Sequence, residues 1–231
     1  MGPTSLDHVA LWVADRDRIA DFASAHLGMH VIERTDRFTL IGVDARRGKL
    51  TLFEAEGPRE PGALRAVGLR VSDLAEAAAQ LPEDLRVERE HARLSFELLE
   101  GIRLTLVQAP TEVEYDLDHV AVQVPDPAAA AEEWLPLGFG PAPSLDGAPR
   151  VEVAGAYLEL HAGDSGETDR PLLNHLGVLV DSADEWRRRA EEAGAEVADV
   201  IDAPNTYAVF VWGPERVKLE YVEHKPSFSL V

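Results

Sequence analysis

The stretch Leu173-Asn174-His175-Leu176-Gly177-Val178-Leu179-Val180 decides how this chain reads. It recurs as Leu117-Asp118-His119-Val120-Ala121-Val122-Gln123-Val124 and as Leu6-Asp7-His8-Val9-Ala10-Leu11-Trp12-Val13. A worn copy is Leu64-Arg65-Ala66-Val67-Gly68-Leu69-Arg70-Val71. Each alternates Val or Leu on one face with a mixed set on the other, the pattern of a half-buried strand. A strand that recurs four times is an internal repeat, and it sets the frame for everything else.

The sequence after each copy extends the repeat. Asp15, Asp73, Asp126 and Ser182 each stand before a helical pattern, where a side-chain oxygen can satisfy free helix N–H groups. Ser182 with Glu185 has the spacing of a capping box. Gly28, Gly138 and Gly194 stand where three of these helices should stop. Three short apolar runs follow each helix. The unit is therefore βαβββ, used four times, and the fold class is α+β. His8 and His119 are 111 positions apart, and Ala66 and His175 are 109 apart, the mark of a tandem duplication.

The modules run from Leu6 to Gly57, Ala63 to Gln108, Tyr115 to Ala162 and Pro171 to Glu223. In module one the later strands are expected at Met29–Arg34, Phe38–Val43 and Lys49–Glu54. In module two they fall near Leu85–Glu90, Leu94–Leu98 and Ile102–Val107. The last strand of module three is Ala156–His161, and module four ends with Tyr207–Trp212 and Val217–Val222. Pro58–Gly62 and Gly163–Arg170 read as connectors, and the tail His224–Val231 as loosely held. The segment Ala109–Glu114 is the best boundary, which predicts domains over 1–110 and 111–231.

Composition narrows the function classes. The 231 residues are 45% hydrophobic and 28% charged, as in a globular protein with a sizeable core. A net charge of −20 should repel nucleic acid and anionic membranes. Cys is absent, so disulfides, thiolate metal sites and Cys nucleophiles are excluded. His and carboxylates remain as metal ligands. No apolar run is long enough to span a membrane, and the start of the chain runs straight into a strand, so a cytoplasmic location is expected. Exposed edge strands would permit a homodimer.

With the Asp-His-Val-Ala and Asn-His-Leu-Gly strand starts, the chain resembles the vicinal oxygen chelate superfamily. That superfamily holds glyoxalase I, bleomycin-resistance proteins, extradiol dioxygenases, methylmalonyl-CoA epimerase and fosfomycin-resistance enzymes. The resemblance covers essentially the whole chain. It implies that βαβββ modules pair into two cupped mixed β-sheet domains, as in four-module dioxygenases. It also implies metal ligands on the first and last strands of each module.

On the last strands the middle residue of each apolar triplet should face the cup: Thr51, Thr105, Glu159 and Glu220. On the first strands the cup-facing residues are His8, Ala66, His119 and His175. The C-terminal half thus offers His119, Glu159, His175 and Glu220 for one divalent ion such as Fe, Ni, Co, Mn or Zn. The N-terminal half, with a single imidazole at His8, reads as a degenerate or metal-free pocket. His26, His30, His91 and His224 show no partner pattern, while His161 shares the face of Glu159.

Three functions follow from the resemblance. The first is a metal-dependent lyase or isomerase that stabilises an enediolate in a small oxygen-chelating substrate, with Glu220 or Glu159 moving the proton. The second is an Fe(II) extradiol dioxygenase on His119, His175 and Glu220. Against it, the positions expected for its acid–base His and Tyr hold Ala156, a residue near Pro204–Asn205, and Val211 or Trp212, with Tyr207 the nearest substitute. The third is a small-molecule binder, like the antibiotic-sequestering members, using Trp12, Phe53 and Trp212. Arg70 and Arg103 should also face inward and would suit an anion.

Overall fold

The computed structural model describes residues 2–164 and 168–230. The middle of the connector Gly163–Arg170 and the last residue of the tail lie outside the described residues. Four modules are present, each opening on a long strand: β1 (Ser5–Val13), β5 (Leu64–Val71), β9 (Asp116–Val124) and β13 (Leu173–Leu179). A helix follows each: α1 (Arg16–His26), α2 (Leu74–Ala79), α3 (Pro127–Trp134) and α4 (Ala183–Glu192). Three strands complete each module. They are β2 (His30–Arg34), β3 (Phe38–Gly42) and β4 (Lys49–Glu54), then β6 (Val87–Glu90), β7 (Arg93–Glu97) and β8 (Arg103–Gln108). The later modules add β10 (Gly140–Leu145), β11 (Ala148–Val153) and β12 (Ala156–Ala162), then β14 (Val197–Asp202), β15 (Thr206–Trp212) and β16 (Lys218–His224).

The expected caps are in place: Asp15, Asp73, Asp126 and Ser182 each accept a hydrogen bond from a first-turn N–H. The capping box is only half formed. Ser182 accepts from the Glu185 N–H at 3.3 Å, but the Glu185 carboxylate turns to Arg189, one turn further on. Gly28, Gly138 and Gly194 end their helices at positive φ, as the sequence predicts.

The strands form two mixed eight-stranded sheets, ordered β14-β15-β16-β13-β1-β4-β3-β2 and β10-β11-β12-β9-β5-β8-β7-β6. The division expected near residue 110 therefore does not separate the sheets. Module one pairs with module four, and module two with module three. In both, the two first strands meet antiparallel, β1 with β13 and β5 with β9. The connectors between sheets run side by side: the Leu172 N–H donates to the Glu60 carbonyl at 2.6 Å. The tail is tied rather than loose. The Lys225 N–H donates to the Asn205 carbonyl at 2.9 Å, and Phe228 stacks on His224 at 3.8 Å.

The helical faces of the two sheets pack on each other as one core. Trp186 of α4 stacks on Tyr221 of β16, and the buried Tyr221 hydroxyl donates across to the Leu137 carbonyl at 3.0 Å. Trp134 of α3 fills the space left by Gly213, where a Cβ would meet its ring. Burying such aromatics supplies about 2–3 kcal/mol each. The opposite faces of the sheets, away from the helices, carry the polar residues that the repeat singles out.

Candidate metal centre

The local device that builds the site is a β-bulge. In β1, Leu6 pairs with Val178 and His8 with Gly177, leaving Asp7 as the extra residue. In β13, Asn174 is extra beside His175. The second sheet repeats this at Arg65 and Asp118. A bulge breaks strict alternation, so neighbouring residues can share a face. Asp7 Oδ1 thus reaches His8 Nδ1 at 2.8 Å, and Asn174 Oδ1 reaches His175 Nδ1 at 3.0 Å. With Nδ1 engaged there, each ring turns its Nε2 toward the cup.

Three atoms converge in the first cup. His8 Nε2 lies 2.9 Å from His175 Nε2 and 2.9 Å from Glu220 Oε2, and His175 Nε2 lies 3.0 Å from Glu220 Oε2. All three residues are buried. Glu220 Oε2 makes no properly aligned hydrogen bond despite these short approaches. The three atoms thus form a close triangle, with the two imidazoles in contact with each other and with the carboxylate. Ligand atoms about 2.1 Å from a shared ion stand about 3.0 Å apart at right angles and about 3.4 Å apart at tetrahedral angles. The observed triangle matches one face of an octahedron, so these residues fit a divalent ion with positions left open on the far side.

The surroundings hold this geometry. Lys49, itself buried, donates to Asp7 at 2.9 Å and to the Ala45 carbonyl at 2.9 Å. Gly177 is required opposite His8, because a Cβ there would overlap the imidazole. Phe53 and Phe210 pack edge-on against His175 at 5.8 and 5.1 Å. Burial opposes charge on His8, but Glu220 and Asp7 outweigh it and raise His8 to about 9. Burial lowers His175, with Glu220 only partly offsetting it. Burial also opposes charge on Glu220, yet His8 and His175 hold its carboxyl well below the usual range. One carboxylate supports one imidazolium, which a metal ion would displace as a proton.

The four residues expected to form one site are split between the sheets. His175 and Glu220 stand with His8, which the sequence reading had left without co-ligands. Those co-ligands come from module four, across the β1–β13 seam. His119 and Glu159 lie in the second cup with Ala66 and Thr105. There Arg93 takes Glu159 in a two-pronged contact, 2.6 and 3.1 Å. His119 Nε2 stays 3.8 Å from the carboxylate, and His161 Nε2 lies 3.7 Å from it. Burial opposes charge on Glu159, but His161, Arg93 and His119 outweigh it and hold the carboxyl far below its ordinary value. A guanidinium thus occupies the approach that a metal would need.

Other candidates resolve as follows. Arg70 faces inward, toward Asp118 at 3.5 Å and the Gly155 carbonyl, and Arg103 pairs with Glu88. Tyr207 donates to Asp184 of α4 at 2.8 Å, away from the cup. His224, which showed no sequence partner, lies 3.7 Å from Asp7. The sign that would have found His8 was the Asp7-His8 dipeptide, which matches Asp118-His119 letter for letter.

Residues 5–106 match the model of the Glyoxalase/Bleomycin resistance protein/Dioxygenase superfamily. No curated protein matches the sequence closely. A putative dioxygenase from Bacillus subtilis superimposes with a TM-score of 0.82 at 15% identity, over 98% of this chain and 87% of that one. Glyoxalase I from Zea mays does so with a TM-score of 0.78 at 15% identity, over 94% of this chain and 92% of that one. At such identities the likeness is one of fold. Residues 5–106 thus match the glyoxalase/bleomycin resistance protein/dioxygenase superfamily, and over the whole chain the two mixed sheets share the fold of these solved structures.

Proposed function

We propose that this protein is a metal-dependent enzyme that cleaves the ring of a vicinal aromatic diol with molecular oxygen. The observation that carries this reading is the triangle of His8, His175 and Glu220. Two imidazoles and one carboxylate on one octahedral face, with the other positions open, suit ferrous oxygenase chemistry. The reading based on a lyase or isomerase leaned on Glu159 as a fourth ligand, and Glu159 is held by Arg93 in the other sheet. In the first cup the other last strand, β4, offers Thr51, a hydroxyl rather than a second carboxylate.

When bound, a ferrous ion would supply Lewis acidity for the two neighbouring oxygens and the redox chemistry for O2. The residues of the chain do the rest. His8, His175 and Glu220 hold the ion, while Asp7, Lys49 and Asn174 fix the imidazoles. Phe53 and Phe210 flank His175, keep water from that side and offer edges against which an aromatic ring can pack. In the net reaction both atoms of O2 enter the substrate. The bond between a hydroxylated carbon and its unhydroxylated neighbour breaks, the former ending as a carboxylic acid and the latter as an aldehyde. O2 is the oxidant, and no further reductant is needed.

The test is anaerobic purification with metal analysis, then oxygen uptake on adding catechols. One ferrous ion per chain and one O2 consumed per catechol support the reading. Stoichiometric Ni, Co, Zn or Mn, with no oxygen uptake after iron loading, would replace it with proton transfer beside a metal-bound carbonyl.

A further inference from the structure

The triad accounts for one end of the first cup, but not for what lies along its wall. Strand β16 carries Lys218 two residues before Glu220, so both side chains leave the same face, about 7 Å apart along the strand. Strand β15 pairs Phe210 with Glu220 and Trp212 with Lys218, which puts those rings on the same face again. Lys218 Nζ stands 5.0 Å from the Trp212 ring centre, and the Arg216 guanidinium 4.3 Å from it.

The opposite wall is built alike. An unbroken run of ring contacts leads outward from the triad: His175 to Phe53 at 5.8 Å, Phe53 to Trp12 at 5.4 Å, then the Arg59 guanidinium over Trp12 at 5.3 Å. Arg59 Nε is buried and makes no hydrogen bond. Among the described residues, no carboxylate forms a salt bridge with Arg59, Arg216 or Lys218.

This is an unusual use of charge. The chain has a net charge of −20, with 42 acidic residues available to pair with 22 basic ones. Cations stacked on rings and left without carboxylates cost little when an anion will complete them. An amphipathic Lys or Arg over a Trp face is also a preformed cradle, its charge directed past the ring. In the second cup the cations turn to carboxylates instead: Arg93 and Arg150 to Glu159, and Arg70 to Asp118.

Building on the metal-centred reading above, we propose that the substrate is an aromatic vicinal diol carrying an anionic substituent across the ring from the diol. The diol oxygens lie at His8, His175 and Glu220. The ring lies among Phe210, Phe53, Trp12 and Trp212. The anionic group is met by Lys218, with Arg59 and Arg216 at the mouth. The spacing along β16 from Glu220 to Lys218 is about the width of one substituted ring.

The experiment compares 4-carboxycatechol with 4-methylcatechol, which match in shape and differ in charge. Binding is measured by calorimetry on the protein loaded with Zn(II), which binds oxygen ligands without turnover. The expected result is tighter binding of the carboxylate by about tenfold or more, the effect of one charge-assisted contact. Lys218→Gln should erase the preference, Lys218→Arg should keep it, and Arg59→Gln should reduce it. Equal binding of the two catechols overturns the anionic substituent and leaves the metal-centred reading intact. Binding of Zn(II) without binding of either catechol overturns both. A preference that survives in both Lys218→Gln and Arg59→Gln, with melting temperatures unchanged, overturns the assigned cradle.

Discussion

The two cups are built from the same repeat on the same bulged strands, yet they hold opposite chemistry. In the first, Asp7-His8 and Asn174-His175 aim two Nε2 atoms at Glu220, and rings surround them. In the second, Asp118-His119 keeps the same bulge and the same 2.8 Å carboxylate–imidazole contact. Its neighbours have changed. By register, Ala66 stands for His8, Arg93 for Phe38 and Arg150 for Phe210. Three changes convert an open, ring-lined centre into an internally paired one. The comparison teaches that a metal site here is decided less by its carboxylate than by what competes for that carboxylate.

The largest effect that can break this comparison is loss of metal. His8→Ala, His175→Ala and Glu220→Gln should each abolish stoichiometric binding, while His119→Ala and Glu159→Gln should leave it at one ion per chain. Loss in the His119 variant, with retention in the His8 variant, would reverse the assignment of the cups. The converse is sharper. Ala66→His with Arg93→Phe restores a second imidazole and clears the carboxylate. That pair should still fail, because Ala121 occupies the place of Gly177, and His8 tolerates only a glycine opposite its ring. Adding Ala121→Gly and Arg150→Phe, the latter to remove the second cation beside Glu159, should raise the metal count to two.

Next in size is the Arg93–Glu159 pair. The Glu159 side chain is 3% exposed and the Arg93 side chain 24%. Arg93→Gln leaves a buried carboxylate without its main partner, which should cost about 2–3 kcal/mol. For a chain of this size the melting temperature should fall by roughly 4–10 °C. The sign with pH is fixed by linkage. The folded pKa of Glu159 lies below its ordinary value of 4.5, so its contribution is present above that pH and is lost as pH falls through the folded value. The gap between parent and variant should therefore narrow below about pH 4.5. Thermal melts from pH 7 to pH 3 check this, and a gap that widens on acidification would refute it.

Much of this was legible in the sequence, and the limits are physical. The βαβββ repeat, the helix caps and the cup-facing residues of the last strands follow from alternation and local hydrogen bonding. Which module pairs with which does not. The four first strands share one apolar pattern, so β1 satisfies its core face equally well against β5 or β13. Nothing short of the folded connectors at Glu60 and Leu172 selects between them. That one ambiguity put His8 with the wrong neighbours and joined His119 and Glu159 to His175 and Glu220. Arg93 was invisible for a related reason. Its partner lies 66 positions away, across three intervening strands of the second sheet.

The smallest expected effect tests the bulge itself. Asp7 and Asp118 make the same contact to the Nδ1 of the next residue, at 2.8 Å in both cups. If the contact serves to orient a ligand, its removal matters only where a metal binds. Asp7→Asn keeps an oxygen near His8 Nδ1 but removes a charge that also anchors Lys49. Metal affinity should drop by about 10- to 100-fold, the usual loss when a ligand imidazole loses its carboxylate. Asp118→Asn should leave affinity unchanged, because His119 has no ion to serve. Its own cost should appear as a lower melting temperature, because Asp118 is buried against His119 and Arg70. Competition against a chelator of known affinity resolves both variants. Equal losses would mean that the two cups are coupled through the sheets rather than independent, and equal retention would mean that Asp7 holds Lys49 rather than His8.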